Sequence, residues 1–186
     1  MLVEKIGEGM YGKVYKGCIN KACRFKYAAK KSNDNLSMEY RTSLLAYRVA
    51  PSGVVQPFKF SGGVLYTQYV PLSKITPSNF NKVFKKLLMT LMKIQKKYPS
   101  FRHNDLSWKN VFVDTQGNAF IGDFGLANVQ LSGYKNPLVQ SGGFKKSHGT
   151  YPGSDPRFDI HFFLNSLYIA WLPEIKSMLK KYILLE

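Results

Sequence analysis

The hydrophobic pattern of this chain changes near residue 70, and that change limits the folds it can adopt. Before it, short runs rich in Val, Ile, Tyr and Phe alternate with glycine or polar residues, as in "LVEKIGEG", "GKVYKGCI" and "CRFKYAAKK". Such runs predict strands, and "VVQPFKF" and "GVLYTQYV" predict a hairpin joined through "SGG". Between them, "NDNLSMEYRTSLLAYRVAP" predicts one helix, capped near residues 33–35 and stopped by Pro51.

After the change, the helical period dominates. "FNKVFKKLLMTLMKIQKKY" carries an apolar stripe at helical spacing with lysines opposite, which predicts a core-facing helix. The residues of that stripe are Val83, Phe84, Leu87, Leu88, Leu91 and Met92. A loop, two strands around a tight turn, and a long polar stretch from residue 131 to 156 follow. "FDIHFFLNSLYIAWL" and "PEIKSMLKKYILL" predict two closing helices, so we expect an α+β fold without internal repeats.

Length and composition narrow the class of protein. The 186 residues, 45% of them hydrophobic, suit one domain or two small lobes around a real core. The sequence contains no run of about 18 apolar residues, so it predicts no membrane span. Its first residues do not have the pattern of a signal peptide. Cys18 and Cys23 are too few for a disulfide framework and lack further metal ligands at suitable spacing, so we expect a reducing compartment.

The net charge of +16 is the most unusual bulk property. Lysine pairs recur along the chain, and such a surface attracts polyanions such as nucleic acid, acidic peptides or anionic lipid. A solvated face that keeps a small protein in solution explains the same lysines. Charge alone therefore identifies no partner.

Two local patterns point to phosphate chemistry. Gly7, Gly9 and Gly12 lie between two strand-like runs rather than before a helix, which favours a flexible hairpin whose backbone approaches phosphates closely. Further along, Asp105 and Asp123 stand among apolar residues. Because apolar surroundings disfavour an ionised carboxylate, a cation or hydrogen bonds must stabilise them.

The ordered motifs resemble the eukaryotic-type protein kinase superfamily. They are Gly7-x-Gly9-x-x-Gly12-x-Val14, then "YAAK", then "HNDLSWKN", then "DFG" at residues 123–125. The match runs from the start of the chain to about residue 172. It implies a bilobal fold, with a small antiparallel-sheet N-lobe over residues 1–69 and a reduced, mainly helical C-lobe over residues 70–186. It also implies an enzyme that uses ATP and Mg²⁺ to phosphorylate a protein.

The resemblance assigns roles to the polar residues. Asp105 would accept or orient the proton of the attacking hydroxyl, and Asn110 and Asp123 would hold Mg²⁺, which prefers carboxylate and amide oxygens. A loop-capping aspartate is the structural alternative for Asp105. Lys30 would contact the α- and β-phosphates, whereas strand alternation turns Lys31 to the other face.

The resemblance also outlines a nucleotide pocket. Glu39 would pair with Lys30, although an exposed position on the helix is the alternative. Thr67 would be the gatekeeper, and the backbone of Gln68 and Val70 would bind adenine. Ile6, Val14 and Ala28 would form the apolar walls, although each could equally be plain core.

Several positions depart from the family pattern. Asn104 replaces the arginine that normally pairs with a phosphorylated activation-loop residue, so we expect activity independent of such phosphorylation. Ser107 replaces the lysine usual in serine/threonine kinases, and Lys109 would supply the catalytic cation instead, as in tyrosine kinases. Gly149-Thr150 resembles the serine/threonine class, which we favour. Asp159 could brace the catalytic-loop backbone or face solvent.

The end of the chain lacks Ala-Pro-Glu and most substrate-docking elements of a full C-lobe. This reduction resembles the minimal kinases of large DNA viruses. That implies an intracellular location, in the host cytoplasm or nucleus or with the virion. We expect a protein substrate, acidic or associated with nucleic acid, with nonspecific nucleic-acid contact through the basic surface.

Two rival functions remain. A pseudokinase, or a basic structural protein that binds nucleic acid or protein partners, fits the charge and the missing elements. A small-molecule kinase of the aminoglycoside or choline type shares the catalytic loop, but the three-glycine hairpin and "DFG" argue against it.

Overall fold

The computed structural model describes residues 2–9, 12–33, 36–71, 73–140 and 155–170. The first part of the chain forms a five-stranded antiparallel sheet in the order β1-β2-β3-β5-β4. Positive φ values at Gly62 and Gly63 allow the tight turn of the predicted "SGG" hairpin. The strands are β1 Leu2–Gly9, β2 Gly12–Cys18, β3 Lys26–Lys31, β4 Pro57–Ser61 and β5 Val64–Gln68.

Helix α1, Ser37–Val49, connects β3 to β4. Leu36 occupies its N-cap position and no side chain caps it, so the cap predicted near residues 33–35 is wrong. The helix ends with Ala50 at the C-cap, immediately before the predicted stop at Pro51. Its second half is anchored in the core through Ala46 and Ala50.

Helix α2, Pro77–Lys97, starts with a capping box between Thr76 and Asn79. Its predicted apolar stripe is correct at the centre but wrong at one edge, because Met92 is 67% exposed. Met92 lies about 100° around the helix from Leu91, which puts it beside the buried face. The side chains that the structure buries along this helix are Phe80, Val83, Leu87, Thr90, Leu91 and Ile94.

The remaining described elements follow α2 along the chain. They are a 3₁₀ turn Trp108–Asn110, strands β6 Val111–Val113 and β7 Ala119–Ile121, and helices α3 Pro137–Gln140 and α4 Phe158–Ile169. Strands β6 and β7 pair antiparallel. The helix predicted over "PEIKSMLKKYILL" and most of the predicted long loop lie outside the described residues.

One buried cluster links these elements. It joins residues of α1, α2, β6, β7 and α4, including Ala46, Leu87, Ile121 and Phe163. Backbone bonds add to it, since Val55 N–H donates to the Ile121 carbonyl at 2.9 Å and Ile121 N–H donates to the Gly53 carbonyl at 2.9 Å. These contacts fix the start of β4 relative to β7.

The fold is α+β with an antiparallel sheet in its first part, as predicted. Cys18 and Cys23 form a disulfide where β2 leads into β3, a pairing that the sequence did not predict. Within the described part of the chain, no helix is both long and apolar enough to cross a membrane.

Candidate active site

A cavity of about 440 Å³ lies against the inner face of the five-stranded sheet. Strand register explains its lining, because Val14 is opposite Lys30 and Ala28 is opposite Thr67. Directly opposite residues of antiparallel strands share a face, and so do residues two apart on one strand. Lys31 lies on the other face of β3, exposed, with its Nζ 5.6 Å from the centre of the Tyr15 ring.

The cavity includes most of the predicted nucleotide-pocket residues. Those that line it are Ile6, Gly7, Val14, Ala28, Thr67, Gln68 and Val70. The lining also contains residues that the sequence pattern did not identify, among them Val55, Leu65 and Phe112. Phe112 is the middle residue of β6, between buried Val111 and Val113, so its side chain lies on the opposite face of the strand. This alternation is the sequence signal that could have identified it.

Lys30 joins two carboxylates at the polar end of the cavity. Its Nζ lies 2.9 Å and 3.1 Å from the two carboxylate oxygens of Glu39, and 2.8 Å from Oδ1 of Asp123. Glu39 is buried rather than exposed on the helix, and only 12% of the Lys30 side chain is exposed. The structure thus brings together three predicted site residues from β3, α1 and the segment after β7.

Burial and charge shift the pKa values of this group. Burial works against the Lys30 ammonium, but Glu39 and Asp123 outweigh it and raise the pKa of Lys30. Burial and the nearby Asp123 charge raise the pKa of Glu39 to about 7. Although burial also acts on Asp123, Lys30 holds the pKa of that carboxyl below its usual range. Asp123 is therefore the member of the group that stays ionised most readily.

Asp105 and Asn110 form a second polar pair. The Asn110 Nδ2 donates to the Asp105 backbone carbonyl at 2.7 Å and to Oδ2 of the Asp105 carboxylate at 3.0 Å. The 3₁₀ turn holds this arrangement, and Trp108 N–H donates to Oγ of Ser166 on α4 at 2.8 Å. Burial raises the pKa of Asp105, and the Asp123 charge adds to that effect.

Asp159 braces the backbone of the loop that carries Asp105. Its two carboxylate oxygens accept the backbone N–H groups of His103 and Asn104, each at 2.9 Å. Asp159 is fully buried, which excludes the solvent-facing alternative. The brace holds Asn104 at φ +64°, a left-handed conformation that asparagine tolerates better than most residues.

Asn104 has a structural role that the sequence did not reveal. Its Nδ2 donates to the Leu126 carbonyl at 3.0 Å, so it ties the loop to the segment that follows Asp123. His103 adds a second tie, since its ring Nε2 lies 3.0 Å from the Gly122 carbonyl. Asn104, which replaces the arginine of the protein kinase pattern, is thus a buried residue that connects two segments of the backbone.

The predicted glycine hairpin is present between β1 and β2. Gly9 pairs with Gly12 at its end. Gly12 has φ +141°, and a Cβ there would collide with the Lys31 carbonyl oxygen, so close packing on β3 already requires glycine. Gly7 lines the cavity, where a Cβ would make an ordinary contact of 3.8 Å with Val14.

Lys109 is one of the predicted site residues that the structure leaves outside the cavity lining. Its side chain is exposed, and its Nζ lies 5.9 Å from the centre of the neighbouring Trp108 ring. Asp105 and Asn110 also lie outside the cavity lining, as does Gly12.

The residues that would hold Mg²⁺ fit that role chemically. Asp123 faces the cavity with 41% of its side chain exposed. Asn110 directs its Nδ2 to Asp105, so its side-chain oxygen remains for a cation. Carboxylate and amide oxygens suit a hard divalent ion. Over the described ranges, no cluster of three or more His, Cys, Asp or Glu forms an all-protein metal site.

Comparison with known proteins gives one relevant similarity. The chain is 27% identical to the SNF1-like protein kinase ssp2 of Schizosaccharomyces pombe over 149 aligned residues, which cover 70% of this chain. The matched region spans 26% of that kinase. No family model matches the chain. The similarity points to the protein kinase superfamily, and the α+β architecture with its antiparallel sheet is compatible with a kinase-like fold.

Proposed function

We propose that the protein transfers the γ-phosphoryl group of ATP to a protein hydroxyl with the help of Mg²⁺. The observation that carries this proposal is Lys30, which contacts both Glu39 and Asp123 at the polar end of an apolar cavity. A buried cation held by two carboxylates next to an apolar cavity suits a ligand with a flat apolar part and an anionic tail.

The proposed role of each residue follows from its chemistry. The apolar walls take the adenine, and the backbone of Gln68 and Val70 binds its edge. Lys30 contacts the α- and β-phosphates, since its ammonium already points into the cavity. Asp105 orients the substrate hydroxyl and accepts its proton. Mg²⁺ held by Asn110 and Asp123 would neutralise charge on the phosphate oxygens.

The finer parts of the proposal are the division into lobes, the serine/threonine preference and the viral relationship. A division into lobes at residues 69 and 70 agrees with a cavity lined from both sides of that boundary. The serine/threonine preference rests on Gly149-Thr150, which lie outside the described residues. The viral relationship and the host or virion location rest on the sequence resemblance alone.

An acidic protein substrate, or one bound to nucleic acid, suits the surface charge. Helix α2 exposes a series of lysines on the face away from the core. Salt-sensitive binding is the expected property of such a face. The exposed lysines are Lys82, Lys85, Lys93, Lys96 and Lys97.

Transfer of labelled phosphate from ATP to a panel of proteins tests the proposal. Wild type should label a substrate, and Asp105→Asn and Lys30→Met should reduce the rate by at least about a hundredfold, in the range typical of a lost proton acceptor or charge contact. Equal labelling by all three proteins contradicts the assigned roles. If the wild type labels no protein and binds DNA in a salt-sensitive manner, the result favours the rival function, a basic structural protein that binds nucleic acid.

A further inference from the structure

The N-terminal half of α1 lies between two charged contacts on opposite sides. Glu39 binds Lys30 on the sheet side. Arg41 follows two residues later, about 200° around the helix, and therefore points away from the sheet. The second half of the helix is fixed by core packing, whereas its first turn has no side-chain cap. The charged contacts therefore add to the burial of Leu36, Thr42 and Ser43 in holding the first two turns.

Arg41 contacts the segment that follows Asp123. The central guanidinium carbon lies 5.1 Å from the centre of the Tyr134 ring, within the range of a cation–π interaction. The guanidinium also lies against Gly133, where an added Cβ would come within 2.8 Å of Nη2. Among the ion pairs of the described residues, Arg41 has no carboxylate partner.

Tyr134 belongs to a turn that is fixed to the Asp123 segment. Its N–H donates to the Leu131 carbonyl at 2.9 Å, and its ring packs against the main core. Two residues on, the Asn136 Nδ2 donates to the Gly125 carbonyl at 2.8 Å and to the Ala127 carbonyl at 3.2 Å. The turn therefore moves with the backbone that carries Asp123.

We propose that Arg41 and Tyr134 are positioning residues that hold Glu39 against Lys30. Their contact ties α1 to the Asp123 segment on the side away from the sheet, so the helix cannot swing outward without breaking it. Among the described residues, the Tyr134 ring supplies the partner for the Arg41 cation. This inference rests on the proposed function, because its consequence is the placement of Lys30 for nucleotide.

Amide hydrogen exchange tests the contact without requiring catalysis. Tyr134→Leu removes the ring, and exchange of amides 40–43 should become about two- to fivefold faster, the effect expected for one exposed cation–π contact. Tyr134→Phe keeps the ring and should exchange like wild type. Unchanged exchange in Tyr134→Leu overturns the proposal, as does equal acceleration by Tyr134→Phe.

Mg-ATP affinity, measured by calorimetry, tests the link to Lys30. Arg41→Leu and Tyr134→Leu should each weaken binding by about two- to fivefold, and the double variant no further. Arg48→Leu, on the last turn of the same helix, controls for the loss of an exposed arginine. In a Glu39→Gln background, Tyr134→Leu should no longer weaken Mg-ATP binding. If it weakens binding there as much as in the wild type, the role of Tyr134 is merely structural.

The two proposals fail in distinguishable ways. If wild type does not bind Mg-ATP, the proposed function fails while hydrogen exchange still decides whether the contact holds α1. If Mg-ATP binds and phosphate is transferred, but neither exchange nor affinity changes in Tyr134→Leu, only the positioning role is refuted.

Discussion

The two polar groups of the site are held in place by different kinds of contact. Lys30 is fixed by ion pairs to Glu39 and Asp123, whose side chains come from distant elements. The loop that carries Asp105 is fixed by backbone N–H groups that donate to the buried carboxylate of Asp159. Ion pairs between side chains can re-form in shifted geometries, whereas backbone bonds to one buried acceptor define a single loop conformation.

The difference indicates how the two groups contribute to stability and to function. Replacing Asp159 leaves two backbone N–H groups without their acceptor, so the free energy of unfolding decreases. Changing Glu39 removes its attraction for Lys30 but also removes the cost of burying the Glu39 charge, and Asp123 still pairs with Lys30, so the cost falls on ligand binding. The predictions below test this contrast, from the largest expected effect to the smallest.

Asp159→Ala should have the largest effect on stability. It leaves the His103 and Asn104 amides without their acceptor inside the protein, and we expect a loss of about 3 to 5 kcal/mol in the free energy of unfolding. Urea denaturation measures this loss. Asp159→Asn keeps one acceptor oxygen and should lose less. A change below about 1 kcal/mol in Asp159→Ala would show that the brace is dispensable.

Glu39→Gln should instead affect nucleotide binding. The amide cannot attract the Lys30 ammonium as the carboxylate does, so the Mg-ATP dissociation constant should rise about tenfold, or about 1.4 kcal/mol. The free energy of unfolding should change by less than about 1 kcal/mol, because the desolvation cost of the buried carboxylate also disappears and Lys30 keeps Asp123 as a partner. Calorimetric titration and urea denaturation of the same preparation separate the two quantities. A large loss of stability with unchanged affinity would reverse the comparison.

The pH dependence of the transfer reaction gives the smallest effect. Burial raises the pKa of Asp105, and in the proposed reaction Asp105 accepts a proton and so acts in its ionised form. Activity should therefore fall on acidification at a pH above the ordinary aspartate pKa of about 3.9. The measurement is kcat/KM between pH 4 and 8, at pH values where circular dichroism shows a folded protein. If kcat/KM does not fall as the pH is lowered to 4, Asp105 does not limit the reaction in the way proposed.

The local motifs were readable from the sequence because they depend on residue type and short spacing. Alternation on β3 correctly separated Lys30 from Lys31, and the change of period near residue 70 predicted the α+β class. The stripe on α2 was correct at Val83, Leu87 and Leu91 for the same reason. At Met92 the pattern failed, since periodicity gives the direction of a face but not its width.

What the sequence determined by itself was the order of the motifs and the chemical types at the site. Tertiary structure decided which of them meet: Lys30 and Asp123 are 93 residues apart and bond at 2.8 Å. It also decided that Asp159 is buried against the loop that carries Asp105 and that Arg41 reaches Tyr134. Such contacts depend on how separate elements pack, and no local pattern of residue types contains that information.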